Sequence, residues 1–214
     1  MFVENWMTPD PMTVPPSATI SEVALEMGRR KFRHILVATP LAYGKKLVGI
    51  VSKYDIARAF PNDLNPFSLA VGETSVPQTI STIMSSHAIT VAPGCEIEQA
   101  SHLLRRHHFN ALPVVRNNQL VGIITESDVF QALLEMTGAN AGGVKMIVEC
   151  PSDSNPTLLL SQLSLSHNLR ITSFTSFTHK SSAKSYSVVR FDGRPAGAFV
   201  TELYKLRFRV LTIN

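Results

Sequence analysis

The 214-residue sequence contains no apolar run long enough to span a membrane. Its first residues, Met1 to Trp6, lack the basic and apolar regions of a secretion signal. Both absences predict a cytoplasmic protein without a membrane partner. Cysteine is scarce: Cys95 and Cys150 have no metal-ligand spacing and lie in different parts of the chain, so they read as two packed thiols rather than a disulfide. His102, His107 and His108 share no i, i+4 face, which argues against a metal site. No Ser/His/Asp, Cys/His or paired-carboxylate arrangement has local support, so neither a catalytic residue nor a catalytic cofactor is expected. The basic surplus sits in residues 143–214, with 9 basic and 4 acidic side chains. Those cations are scattered and not interleaved with aromatics, which argues against a nucleic-acid partner.

What the chain does have is a duplication. Residues 47–55, LVGIVSKYD, return as residues 120–128, LVGIITESD. Each copy reads as a short apolar strand that breaks at Ser52 or Thr125 and starts a helix, with Asp55 or Asp128 three places on. A hydroxyl followed at i+3 by an acid is a helix cap, in which the hydroxyl takes a free N–H of the first turn. The same geometry can serve a ligand. A helix start at a strand end offers unpaired N–H groups and a positive dipole end to a phosphate, and the Asp can accept from a ribose diol. A lone copy favours the plain cap; a copy repeated with its context favours the ligand.

That context is extensive. Met7, Thr13, Val14, Pro16, Ile20, Phe32 and Val37 match Met84, Thr90, Val91, Pro93, Ile97, Phe109 and Val114 without a gap, and the first copy then carries a loop insertion around residues 40–45. The first copy predicts a lead-in at 3–7, a strand at 12–14, a helix over 20–31, strands at 35–37 and 47–51, and a helix over 53–60. The helix at 20–31 has a Thr19/Glu22 cap pair and an apolar stripe of Ile20, Val23, Ala24 and Met27. The second copy predicts a lead-in at 80–84, a strand at 89–91, a helix over 96–107, strands at 112–115 and 120–124 about Asn117-Asn118, and a helix over 126–137. Residues 61–77 form the linker. Two copies are too few for a solenoid and should pair into one module.

Met-Thr, then Thr-Val-x-Pro, an amphipathic helix, a strand such as Ala111-Leu112-Pro113-Val114-Val115, and Leu-Val-Gly-Ile-Ile-Thr-x-x-Asp together resemble the CBS domain, the cystathionine-β-synthase repeat, over residues 1–137. The resemblance implies a tandem pair, or Bateman module, that binds an adenosine-containing regulatory ligand (AMP, ADP, ATP or S-adenosylmethionine, sometimes a dinucleotide) in clefts between strand and helix. Carried onto this sequence, the nucleotide-binding candidates are Thr13, Arg33, His34, Ser52, Lys53 and Asp55, with Thr90, Asn110, Ala111, Thr125 and Asp128 in the second copy. Arg33 offers a planar fork of donors to phosphate; Asn110 at the matching place cannot neutralise one. Lys53 is matched by Glu126. Arg33 and Lys53 together predict that the cleft of the first copy takes the more phosphorylated ligand. His34 reads either as a ligand contact or as a part-buried imidazole satisfied by a carbonyl. Arg29, Arg30 and Lys31 read as solvated cations at a helix end.

Gly138 to Gly143 mark a helix stop and a flexible joint. Beyond it the pattern predicts strand 144–150, helix 156–166, strand 169–178, a turn at 180–184, strand 186–191, helix 196–206 and strand 208–213. This is the ferredoxin-like order, and it resembles an ACT domain, a small-molecule-sensing and dimerising module. The loop at 151–157 lacks the glycine found there in many amino-acid-binding ACT domains, so dimerisation is the expected role. The CBS–CBS–ACT order is similar to that of the acetoin-utilisation AcuB type.

The expected fold is therefore α+β: two β-α-β-β-α repeats (1–60 and 78–137) paired as one module, the joint at 138–143, and a ferredoxin-like βαββαβ ACT-type domain over 144–214. The expected function is a non-enzymatic sensor that binds an adenosine ligand and relays it through the last domain or an effector protein, as a homodimer. The alternatives are a scaffold without a ligand and a nucleotide-processing enzyme.

Overall fold

The computed structural model describes residues 1–60, 65–67, 78–140, 142–151, 154–180 and 184–214. Most of the linker expected over 61–77, part of the loop at 151–157 and the centre of the turn at 180–184 lie outside the described residues. The chain divides into two units, Met1–Phe130 and Gln131–Asn214.

The first unit holds both repeats. The first repeat contributes β1 (Thr8–Pro9), β2 (Thr13–Val14), α1 (Ile20–Arg30), β3 (His34–Pro40), β4 (Lys45–Ser52) and α2 (Lys53–Ala59). The second contributes α3 (Ile97–His107), β5 (Ala111–Arg116), β6 (Gln119–Thr125) and α4 (Glu126–Met136). Helix α1 starts at Thr19, whose side chain accepts from the Glu22 N–H at 3.2 Å while the Glu22 carboxylate accepts from the Thr19 N–H at 2.8 Å. Its stripe of Ile20, Val23, Ala24 and Met27 is buried, as the spacing predicts. Strands β3 and β4 pair antiparallel, as do β5 and β6, and both ladders shift register at the equivalent place, after Val37 and Val114. Asn117 and Asn118, at φ 50° and 63°, supply the two left-handed residues that a tight hairpin turn requires. The strand expected at 89–91 is reduced to one parallel bridge, Val91 to Val114. At that bridge Val91 donates to the Pro113 carbonyl and accepts from the Val115 N–H.

The repeats do not merely abut; each lends the other its lead-in. Strand β1 pairs with β6 of the second repeat, Thr8 opposite Ile123. The Val3 N–H donates to the Cys95 carbonyl at 2.8 Å, and the Ile97 N–H to that of Met1 at 3.0 Å. Reciprocally, the Ile20 N–H donates to the Gln78 carbonyl, the Ile80 N–H to that of Ala18, and Ser85 exchanges both bonds with Ile50. Ile80 is fully buried in the core of the first repeat with Ile20, Val23, Met27, Val51 and Ile56. The motif glycines make room for this exchange. A Cβ on Gly49 would lie 2.7 Å from Met84 Sδ and 3.2 Å from the Ser85 carbonyl oxygen. A Cβ on Gly122 would run into Met7 Sδ and lie 3.2 Å from the Thr8 carbonyl oxygen. Leu36, Ala38 and Leu120, with Ile50 and Ile123 against them, form a small second core.

The second unit takes in β7 (Val144–Cys150), α5 (Pro156–Ser166), β8 (Ile171–Thr178), β9 (Ser185–Phe191), α6 (Gly197–Lys205) and β10 (Arg209–Ile213). Its four strands lie in the order β10-β7-β9-β8 and every pair is antiparallel. Alternate residues of β7 and β9 are buried (Met146, Val148, Cys150 and Ser187, Val189, Phe191), so one sheet face meets Leu160, Leu163, Phe199 and Leu203 of the helices. The buried Ser187 hydroxyl is satisfied by Cys150 Sγ at 3.2 Å and Ser176 Oγ at 3.1 Å. Both cysteines are free thiols. The boundary between the units falls within α4 rather than at the glycine-rich joint. The described ends of that joint are seated, not loose. Gly138, at φ +63°, leaves 2.7 Å between a would-be Cβ and Ser173 Cβ, and a Cβ on Gly143, at φ +98°, would meet the Phe191 carbonyl. Among the described residues no helix is long and apolar enough to cross a membrane.

Because Gly49 and Gly122 face the partner repeat's methionine and backbone, a β-branched side chain there should overpack the exchange. Gly122→Val and Gly49→Val are each expected to lower unfolding free energy by about 1–3 kcal/mol. Gly94→Val, where a Cβ meets nothing within 4 Å, should cost less. Urea denaturation of the three variants checks this, and equal effects at all three positions would reject it.

Candidate functional site

At the start of α2 the Ser52 N–H and hydroxyl both donate to Asp55 Oδ2, at 2.8 and 2.7 Å, and the Asp55 N–H donates back to Ser52 Oγ at 3.2 Å. Thr125 and Asp128 repeat this at the start of α4, with 2.7, 2.8 and 3.4 Å. The Lys53 N–H is taken by the Arg33 carbonyl at 2.9 Å and the Glu126 N–H by that of Asn110 at 3.1 Å. The phosphate expectation is corrected here: the helix starts spend most of their donors on the protein, leaving the Tyr54 and Ser127 N–H groups among the described residues. Each carboxylate spends only Oδ2, which leaves Oδ1 free to accept from a diol. Thr19 and Glu22 make the same box, with bonds of 2.8 and 3.2 Å, so the box by itself marks no site.

Two clefts distinguish the motif boxes from the plain cap. The first, about 240 Å³, is lined by Thr125, Glu126 and Ser127 of the second motif together with Thr8, Met12, Lys31, Arg33, His34 and Asn110. The second, about 340 Å³, is lined by Ser52 and Asp55 of the first motif together with Ser85, His87, His108, Asn110, Ala111 and His34. These volumes fall near the lower end of small-ligand sites, roughly 300–1,000 Å³. Each cleft is composite. The motif comes from one repeat, and the lead-in and the turn after the first helix come from the other, because the lead-ins are exchanged.

The candidate residues therefore sort differently from the sequence expectation. Arg33, His34, Asn110 and Thr125 line the first cleft; His34, Ser52, Asp55, Asn110 and Ala111 line the second. Asp128 holds Thr125 by hydrogen bonds and is not part of the first cleft's wall. Thr13 and Thr90 line neither: Thr13 is held opposite Leu36 in the β2–β3 ladder, and Thr90 is exposed. Lys53 lines neither, because its ammonium lies 4.8 Å from the centroid of the Phe67 ring. The expectation that Arg33 and Lys53 join Asp55 in one cleft is thus overturned; Arg33 faces the other motif. Glu126 does reach the first cleft, where its carboxylate accepts from Asn110 Nδ2 at 2.7 Å. Lys31, assigned to a solvated helix end, is the left-handed C-cap of α1 and lines the first cleft; His108 is the matching cap of α3 and lines the second. The repeat alignment, which pairs Lys31 with His108, was the available signal.

Burial pushes the His34 imidazole below its ordinary value of 6.5, and neighbouring Arg33 acts in the same sense, against the opposing pull of Asp55 and Glu126. The stability that neutral His34 contributes is complete above 6.5 and is lost as pH falls through the lower folded value. His34→Gln should therefore lose less stability than the parent between about pH 7.5 and about pH 5.5. Urea midpoints at the two pH values check this, and an unchanged drop in the variant would reject it.

A family model described as the CBS domain matches residues 3–62 and 80–135. The CBS domain-containing protein YhcV of Bacillus subtilis is 32% identical over 65% of this chain and 89% of its own length. A Vibrio cholerae crystal structure ascribed to acetoin utilization (AcuB) superposes with a TM-score of 0.53 at 27% identity, covering 66% of this chain and 97% of that one. The crystal structure of CBSX2 in complex with AMP superposes with a TM-score of 0.52 at 27% identity, over 63% of this chain and 96% of that one. Longer relatives are matched over a part: the chain spans 23% of the inosine-5'-monophosphate dehydrogenase of Korarchaeum cryptofilum, at 30% identity.

Proposed function

The chain belongs to the CBS-domain family, and on that premise we infer that it is a non-enzymatic sensor whose paired repeats bind an adenosine-containing ligand. The observation that carries this reading is that both motif boxes, and not the equivalent Thr19–Glu22 cap, border composite clefts in which strand end, helix start and exchanged lead-in converge. AMP is the ligand of the related CBSX2 structure, and the spare Oδ1 of Asp55, on the wall of the second cleft, suits a ribose diol. Ser52, Thr125, Arg33, His34, Asn110 and Ala111 complete the reading of the site. The one enzyme among the relatives above is matched over 23% of its length, which leaves its chemistry outside the shared region.

The domains follow as 1–60 and 78–137 for the repeats and 144–214 for the last domain. The strand order β10-β7-β9-β8, with α5 and α6 on one face, supports a ferredoxin-like, ACT-type domain. On this reading it dimerises and passes the signal to an effector. The relay requires the ligand to bind one arrangement better than another, since a ligand with equal affinity for both shifts nothing. The second reading, a scaffold with plain caps, is favoured by the box at Thr19–Glu22.

That box also provides the control. A thermal-shift screen with AMP, ADP, ATP, S-adenosylmethionine and NAD is expected to show a raised midpoint. A ligand at a hundredfold excess over Kd adds about 2.7 kcal/mol. Asp55→Ala, Asp128→Ala and Glu22→Ala should each cost on the order of 1 kcal/mol as lost capping-box partners, while only the first two weaken the ligand shift, Asp55→Ala directly and Asp128→Ala through Thr125, which it holds. No shift with any ligand, or an equal weakening in all three variants, would return the motifs to caps.

A further inference from the structure

The two clefts share several equivalent wall positions, and there they can be compared directly. Thr8 answers to Ser85, Met12 to Ile89, Phe32 to Phe109 and Thr125 to Ser52, all conservative pairs. The largest difference in charge lies at one turn. Lys31, Arg33 and His34 of the first cleft stand where His108, Asn110 and Ala111 stand in the second. Lys31 and Arg33 are both exposed and carry permanent charge. The only acid on the first cleft's wall, Glu126, is tied to Asn110 Nδ2 at 2.7 Å. Among the described residues the second cleft has no lysine or arginine on its wall. Its one acid is Asp55, and His34, His87 and His108 supply its remaining ionisable groups. Burial holds His34 toward its neutral form.

We propose that the first cleft is the phosphate-accepting cleft, with Lys31 and Arg33 as its specificity-determining residues, and that the second takes an adenine nucleoside bearing no phosphate. The proposal rests on the adenosine reading and adds to it a division of labour. A phosphate chain beside Lys31 and Arg33 gains two attractive charges and a guanidinium fork. The same chain in the second cleft would face a carboxylate with no permanent cation to offset it. A neutral nucleoside meets no such penalty there and finds donors and acceptors in the histidines, Ser52 and Asn110.

The test is isothermal titration of the full chain with ATP, AMP and adenosine at about pH 8, where ordinary histidines are neutral. ATP should fill one site per chain. Arg33→Ala should weaken binding in order of phosphate number, by about tenfold or more for ATP and least for adenosine. The Arg33 contact to α2 is through its backbone carbonyl, which the substitution keeps. The reciprocal variant is His108→Lys. Lys31 and His108 share the left-handed conformation, at φ 57° and 54°, so a lysine fits there without new backbone strain. It should create a second ATP site. Two ATP sites in the parent, or an equal loss of all three ligands in Arg33→Ala, would overturn the division while leaving the adenosine reading intact. Binding of none of the three would overturn both.

Discussion

The structure of the first unit depends on one contact made twice: a glycine in the last strand of each repeat meets a methionine from the lead-in of the other. Gly49 with Met84 and Gly122 with Met7 are close enough that a side chain at the glycine would have to displace the methionine and press on the backbone beside it. Strand pairing of Thr8 with Ile123 and of Ser85 with Ile50 continues that contact into the backbone. The core of the first repeat therefore takes in a residue remote in sequence, Ile80, buried among Ile20 and Met27 of α1 and Ile56 of α2. Neither repeat has a complete core by itself.

The same exchange decides the chemistry. Since the lead-in and the turn after the first helix face the motif of the other repeat, each cleft is assembled from both copies. Arg33 consequently serves Thr125 and not Asp55, and Lys53 is left to rest on Phe67. On the proposed reading, capping and ligand binding share the motif without competing. Oδ2 of Asp55 closes the helix, and Asp55 lines the second cleft, so one residue fixes the local fold and still has an acceptor to offer.

Much of this was legible in the sequence, for reasons that are local. The stripe of α1, the caps at Thr19, Ser52 and Thr125, and the Asn117-Asn118 turn each follow from a few adjacent residues, and the strand–helix alternation after Gly143 follows from period alone. The duplication made the motif stand out from an ordinary cap. What escaped was anything set by contacts between the copies. Period and propensity carry no information on which lead-in pairs with which strand, so Arg33 was assigned to the motif nearest in sequence. Thr13 and Thr90 were assigned to the site when their neighbours Met12 and Ile89 line it. The strand at 89–91 narrows to the single Val91–Val114 bridge, a difference from β2 that the matching Pro16 and Pro93 do not account for.

The exchanged lead-ins have the form of a domain-swapped two-fold dimer written into a single chain. In a dimer of identical copies the two clefts are bound by symmetry to be the same, and any change in one appears in the other. Fusion lifts that obligation. Once the copies are joined, a lysine at 31 and a histidine at 108 can occupy the same conformation and give their clefts different charge. Selection then acts on each site alone, while the shared glycine–methionine contacts still hold both to one frame.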